Sequence, residues 1–202
     1  MRSQAIHGII LAAGYSSRHQ FFKPLAKYKN EYYIQNIIHK MTKICHKIII
    51  VSGFREDLLK DKIISAISKS TLDKIQFIYN AKFAEGMFTS VKKAATNIQD
   101  FISGEDLVMI HLVDQPQIRQ NTYSALVKAA KLGNSDAYIP SYKMKAGHPI
   151  IVNHKVISKI HSSSHSKTLR DVLREVKIHY VAVSDRNILK DIDMNEDEIS
   201  VK

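Results

Sequence analysis

The stretch Ile6-His7-Gly8-Ile9-Ile10-Leu11-Ala12-Ala13-Gly14-Tyr15-Ser16-Ser17-Arg18 sets the reading of this chain. A short, mostly apolar run gives way to small residues and then to a cation. Ile6–Leu11 is too short for a core helix and too continuous for a strand with one wet face. Such a run fits a strand buried on both sides, as in parallel sheets covered by helices. Ala12–Phe22 follows as a loop, with Lys23-Pro24-Leu25 beyond it.

The same pattern recurs along the chain. Lys47–Val51, Ile75–Tyr79 and Leu107–Val113 are further apolar runs. Between them, Glu31–Ile44, Glu56–Ser68 and Thr89–Ile98 place apolar residues at helical spacing, and Gln120–Leu132 adds a helix. The alternation predicts a three-layer Rossmann-like α/β fold with a mostly parallel central sheet. The rhythm then changes. Ala137–Tyr142 and Pro149–Val152 are strand-like, but Lys143–His148 is too short for a crossover helix. A β-hairpin or edge insertion is expected there. Val156–Ile160 and Leu169–Val176 read as helices and His179–Val183 as a strand. Repeats, low-complexity tracts and linkers are not evident, so residues 1–202 read as one domain.

The 202 residues carry 30 Lys+Arg against 19 Asp+Glu, a formal charge of +11. Such a balance suits nucleic acid, a membrane surface or polyanionic substrates. The basic residues are dispersed rather than clustered, which speaks against nucleic acid. No stretch is apolar for the roughly 18–20 residues a spanning helix needs. Ile6–Ala13 resembles the core of an export signal, but it is short and broken by His7 and Gly8. The single cysteine, Cys45, excludes an internal disulfide and a cysteine-rich zinc site, and suits a reducing cytoplasm.

Open α/β sheets bind ligands beyond the carboxyl ends of their strands. After the first strand, Ala12-Ala13-Gly14 permits close backbone approach, while Arg18 and Lys23 are the two usual kinds of phosphate-holding cation. Taken alone, this loop equally fits a surface turn with solvated cations; it is neither a Walker P-loop nor G-x-G-x-x-G. After the fourth strand, Asp114 lies in Val113-Asp114-Gln115-Pro116, placed for a hard cation or for capping a turn. Asp191-Ile192-Asp193 puts two carboxylates on one side of an extended segment, or begins a solvated acidic tail. His161 and His165, in a serine-rich stretch, and His7, His39, His46 and His179 read as ordinary surface or core histidines.

Together these segments resemble the small-molecule nucleotidyltransferases, most closely the molybdenum-cofactor cytidylyltransferase group. The resemblance rests on Leu11-Ala12-Ala13-Gly14-x-Ser16-x-Arg18 with Lys23, Gly86-Met87 with Ser90-Val91, Val113-Asp114-Gln115-Pro116, Gly147-His148-Pro149, and Asp191-Ile192-Asp193 with Glu196-Asp197. The motifs occur in order from Ile9 to Asp197. Gln20, where the group usually has glycine, and Met194-Asn195, where it has Thr-Pro, depart from the pattern.

The resemblance implies transfer of a nucleoside monophosphate from an NTP to a phosphorylated acceptor, releasing pyrophosphate with Mg²⁺. Leu11, Ala12, Ala13 and Gly14 would line the nucleotide, and Arg18 and Lys23 would hold the triphosphate. Gly86 and Ser90 would read the base. Asp114, counted with Arg18 and Lys23 as catalytic, would ligate the metal with Asp193. His148 and Asp191 would face the acceptor. Ala13 favours CTP over GTP, and molybdopterin is the expected acceptor. The nucleotide half would span about 1–118 and the acceptor half about 119–202. A sugar- or polyol-phosphate transferase, or a non-catalytic nucleotide- or nucleic-acid-binding protein of the same fold, is the alternative. The oligomeric state is not legible.

Overall fold

The computed structural model describes residues 4–14, 22–164 and 166–192. Its main sheet has eight strands. β1 (Ile6–Leu11), β4 (Ile48–Ser52), β5 (Ile75–Tyr79), β6 (Leu107–Leu112), β7 (Ala137–Tyr142), β8 (Lys145–Ala146), β9 (Ile150–Asn153) and β10 (Ile178–Ala182) form it, while β2 (Lys27–Tyr28) and β3 (Glu31–Tyr32) pair separately. The helices are α1 (Tyr33–Met41), α2 (Glu56–Ala66), α3 (Lys69–Leu72), α4 (Met87–Ile98), α5 (Gln120–Leu132), α6 (His154–Ser162) and α7 (Leu169–Leu173).

The sheet runs β10-β7-β9-β6-β1-β4-β5, with β8 added to β7. β6, β1, β4 and β5 are mutually parallel, and β10 is parallel to β7. β9 runs against both β6 and β7. The expected hairpin therefore exists, but it is not at an edge. β9 inserts between β6 and β7 and carries the sheet onward to β10. Its solid apolar sequence, Ile150-Ile151-Val152, explains the interior position, because all three side chains are buried.

Alternation along the central strands supplies two cores. Ile10, Ile48, Ile50 and Met109 pack with Ile34, Ile37, Ile38 and Met41 of α1, Leu59 and Ile63 of α2, and Tyr123 and Leu126 of α5. Ile9, Leu11, Ile49, Val51, Val108 and Ile110 pack on the other face with Val91, Ala94 and Ala95 of α4, Val156 and Ile157 of α6, and Val172 of α7. The three layers expected from the sequence are present.

Local boundaries differ where tertiary bonds override periodicity. Glu31 and Tyr32 pair with β2 rather than opening α1, whose first turn starts at Tyr33. Met87 and Phe88 join α4 ahead of its expected start at Thr89. Leu173, not Val176, ends α7.

The segment after β10 is tied across to α5. Asp185, 3% exposed, accepts from the Arg119 amide at 2.8 Å and the Thr122 hydroxyl at 3.0 Å. Its carboxylate thus serves donors left over at the α5 N-terminus, where negative charge is favoured. Farther along, Ile188 packs against Gly147. A Cβ on Gly147 would stand 2.8 Å from the Ile188 carbonyl carbon and Cβ, and nearer still to its carbonyl oxygen. Glycine is required by this close approach. Gly147→Ala is expected to destabilise the fold by about 2–3 kcal/mol, the scale of forced overpacking, measured by urea unfolding; wild-type stability would show that the contact yields freely.

Candidate active site

Among the described residues, several of the polar groups singled out by sequence lie near the carboxyl end of β6, where Asp114 meets Lys23 and Gln115 meets Asp191. The turn after β1 is fixed by its backbone. Ala12 donates to the Val51 carbonyl at 3.0 Å, and the Ala13 carbonyl accepts from the Phe54 amide at 3.2 Å. The side chains of Leu11, Ala12 and Ala13 are buried in the two cores. Only main chain at these positions can face a ligand. Gly14 is exposed, with open space where a Cβ would stand. Arg18 lies outside the described residues.

Lys23 begins a short helix, Lys23–Leu25, whose Pro24 is buried. Its ammonium lies 3.8 Å from the Asp114 carboxylate, with the two side chains 17% and 25% exposed. The loop cation and the strand-end acid thus meet, although ninety-one positions (114 − 23) separate them. Asp114 is held by its own turn. The Gln115 amide donates to the Leu112 carbonyl at 3.4 Å, and Lys40 of α1 donates to the Pro116 carbonyl. Burial, assisted by Lys29 and offset by Asp185, pushes the Lys40 ammonium down to about 8.

The far end of the chain is laced to this turn. Ile192 donates its amide to the Asp114 carbonyl at 2.9 Å. Gln115 Nε2 donates to Asp191 Oδ1 at 3.0 Å, and Gln117 Nε2 donates to the Lys190 carbonyl at 2.6 Å. Ile192 buries its side chain with Tyr33 and Ala26. Asp193, expected to pair with Asp114, is next in sequence and lies outside the described residues.

His148 follows β8 in the β7–β9 connection, before Pro149 and a cis peptide bond. Burial pulls its imidazole down to about 4, with the Asp191 charge opposing. Beneath it, His111 is fully buried. His111 Nδ1 lies 2.6 Å from the Leu112 carbonyl, which can only accept, so Nδ1 carries the proton. Nε2 then accepts from the Tyr123 hydroxyl at 2.6 Å. Desolvation, with His148 and Lys40 adding and the Leu112 bond opposing, takes His111 down to about 3.

On the other side of the β1 turn, Gly86 has φ +116°, a conformation glycine adopts without strain, and starts α4. Ser90 is buried in the first turns of that helix and accepts a hydrogen bond from Asn80 at 2.9 Å. Ala13 and Phe83 both crowd Gly53, joining this loop to the β1 turn.

The structure therefore brings together Lys23, Asp114, Asp191 and His148, with Gly86 and Ser90 at the start of neighbouring α4. Asn80, Lys40 and Asp185 were not singled out by sequence. Asn80 directly follows a predicted strand, so the strand-end rule could have found it. Lys40 sits among the basic residues of a helix and carries no such signal. His161 is exposed beside Thr96, away from this cluster, and His165 lies outside the described residues.

Among the described residues, no group of three or more His, Cys, Asp or Glu could hold a metal by itself. The oxygen donors at the Asp114 turn instead suit a hard divalent cation that completes its shell with substrate phosphates. Also among the described residues, no helix is long and apolar enough to cross a membrane.

The fold and the strand-end site are compatible with a nucleotide-transferring enzyme, and comparison with known proteins assigns that class. The MobA-like NTP transferase domain matches residues 8–181, and the chain belongs to that family. It is 28% identical over 198 residues to the molybdenum cofactor cytidylyltransferase of Escherichia coli (strain K12), covering 98% of this chain and 96% of that protein. A nucleotidyl transferase from Methanothermobacter superposes with a TM-score of 0.74 at 14% identity, covering 96% and 94% of the two chains. A Mycobacterium tuberculosis H37Rv protein solved as a manganese complex superposes with a TM-score of 0.66 at 16% identity, covering 90% and 89%.

The buried histidines set an acid limit on stability. A histidine whose folded pKa lies below its unfolded value binds fewer protons in the native state, so acid favours unfolding. His111 should cost about 1.4 kcal/mol per pH unit from pH 6.5 down towards 4. His148 keeps some surface open to solvent and adds less, while His7, also lowered by burial, acts in the same direction. Urea unfolding between pH 7 and 4.5 measures this slope. A flat profile would show that His111 is not buried as the neutral form.

Proposed function

We propose that this enzyme transfers CMP from CTP to a phosphorylated small molecule, molybdopterin in first place, and releases pyrophosphate with Mg²⁺. The approach of Lys23 to Asp114 at the mouth of the sheet carries this reading. Support for CTP and for the acceptor comes from the Escherichia coli relative, and from Ala13. The manganese complex of the mycobacterial structure supports a divalent metal. A single cysteine supports a cytoplasmic setting.

The acceptor is a phosphate monoester, whose second pKa near ~6 leaves it largely dianionic at neutral pH. Its oxygen attacks the α-phosphorus, the new P–O bond forms, and the bond to the β-phosphate breaks with its electron pair leaving on pyrophosphate. No general base is needed. The difficulty is repulsion between anions and charge gathering on the leaving group, which positioned cations relieve.

Main chain at Leu11, Ala12, Ala13 and Gly14 lies along the nucleotide in this proposal. Arg18 and Lys23 hold the triphosphate, and Lys23 stabilises the departing pyrophosphate. Asp114 and Asp193 would hold Mg²⁺, which when bound neutralises phosphate charge and orients the reacting groups. Gly86 and Ser90 read the base. His148 and Asp191 face the acceptor; a neutral imidazole there can donate a hydrogen bond without adding charge. Residues 1–118 form the nucleotide half and 119–202 the acceptor half of one domain.

Pyrophosphate release from CTP and Mg²⁺, with molybdopterin or a polyol phosphate added, tests the proposal. Lys23→Ala and Asp114→Ala should each lower kcat by about 10²–10³-fold, the scale of losing one charge-stabilising contact. Near-wild-type turnover of either variant at saturating Mg²⁺ and NTP would overturn the assigned roles. Nucleotide binding without turnover on any acceptor would indicate a binding protein.

A further inference from the structure

We infer that Asn80 is a positioning residue for base selection, because it fixes the Ser90 hydroxyl as a hydrogen-bond donor. The inference rests on the proposed reading of the base by Ser90. Asn80 follows β5 and is 4% exposed. Its Oδ1 accepts from the Lys82 amide at 3.0 Å. A backbone amide only donates, so this bond settles which end of the side-chain amide is oxygen. Nδ2 consequently supplies both of its protons, one to Thr89 Oγ1 and one to Ser90 Oγ, each at 2.9 Å.

The two hydroxyls then differ. Thr89 returns its own proton to the loop, where Oγ1 lies 2.9 Å from the Lys82 carbonyl and 2.8 Å from that of Gly86. Ser90 accepts from Asn80 and, among the described residues, donates to none. It is 4% exposed, so its proton has little water to turn to. A base edge that brings a carbonyl oxygen or an unprotonated ring nitrogen satisfies that proton. An edge that brings only N–H groups leaves it unpaired in a dry site, the situation in which polar sites discriminate best. Asn80 touches no substrate in this scheme. It acts by choosing the direction of one hydrogen bond.

Asn80→Asp tests this with little change of shape. The new carboxylate can still accept from Lys82, but its second oxygen also accepts, drawing the Ser90 proton inward. Equilibrium binding of CTP, UTP, GTP and ATP with Mg²⁺ is measured for wild type, Asn80→Asp, Ser90→Ala and the double variant, with thermal unfolding as the check on folding. The added charge weakens all four nucleotides alike, so the ratio of Kd values is the readout. Asn80→Asp should reduce the preference for the favoured base about tenfold, and should not alter the ratio further once Ser90 is alanine. Should Asn80→Asp not fold, Asn80→Ala frees the hydroxyl to turn and should reduce the preference by about threefold. Ratios within about twofold of wild type, or an equal change in the Ser90→Ala background, would overturn the inference. So would a wild type that binds all four equally. Failure of the underlying nucleotide reading is distinct: wild type would then bind none of the four.

Discussion

Double-sided burial of β1, β4 and β6 is the constraint on which this molecule is built. Strands covered by helices on both faces have no wet surface on which to place a charge, because an unpaired charge in such a layer is expelled or neutralised. His111 illustrates the rule from inside the sheet: it is retained as a neutral ring with both nitrogens bonded. Charged chemistry is left to the strand ends. Parallel β1, β4, β5 and β6 all end on the same side, so Lys23, Asp114 and the Asn80 loop converge there without any sequence proximity.

Convergence would be loose without the second device, the lacing of residues 114–117 to residues 187–192. Backbone from Ile192, side chains from Gln115 and Gln117, and the anchoring of Ile192 beside Tyr33 join the far end of the chain to the strand-end turn. Asp185 adds a buried carboxylate that secures the same segment to α5. These bonds are short-range and directional. Together they hold residues 187–192 against the strand-end turn, and they tie the proposed acceptor side to the proposed metal side.

Hydrogen-bond polarity is the third theme. At His111, at Asn80 and at Gln115, one partner that can act in only one sense settles the role of the next. The Leu112 carbonyl decides the histidine tautomer, and the Lys82 amide decides the orientation of Asn80. Specificity in a cleft that binds polyanions by charge alone would be poor. In the proposed reading, directional neutral groups such as Ser90 and His148 would supply what the cations cannot.

Much of this was legible in the sequence. Solid apolar runs alternating with amphipathic stretches determined the layered α/β fold, since burial on both faces leaves no other pattern. The ordered motifs from Leu11 to Asp193 pointed to the family and to the strand-end residues. Tertiary structure alone decided the rest. A hairpin sequence does not say whether it lies at an edge, and β9 entered the sheet interior because β6 and β7 offered it a ladder on each side. Lys40 and Asp185 gained their places from partners distant in the chain, at Pro116 and Arg119. Periodicity and spacing describe what a segment buries; they carry no information about which buried polar atom, far along the chain, will complete its hydrogen bonds.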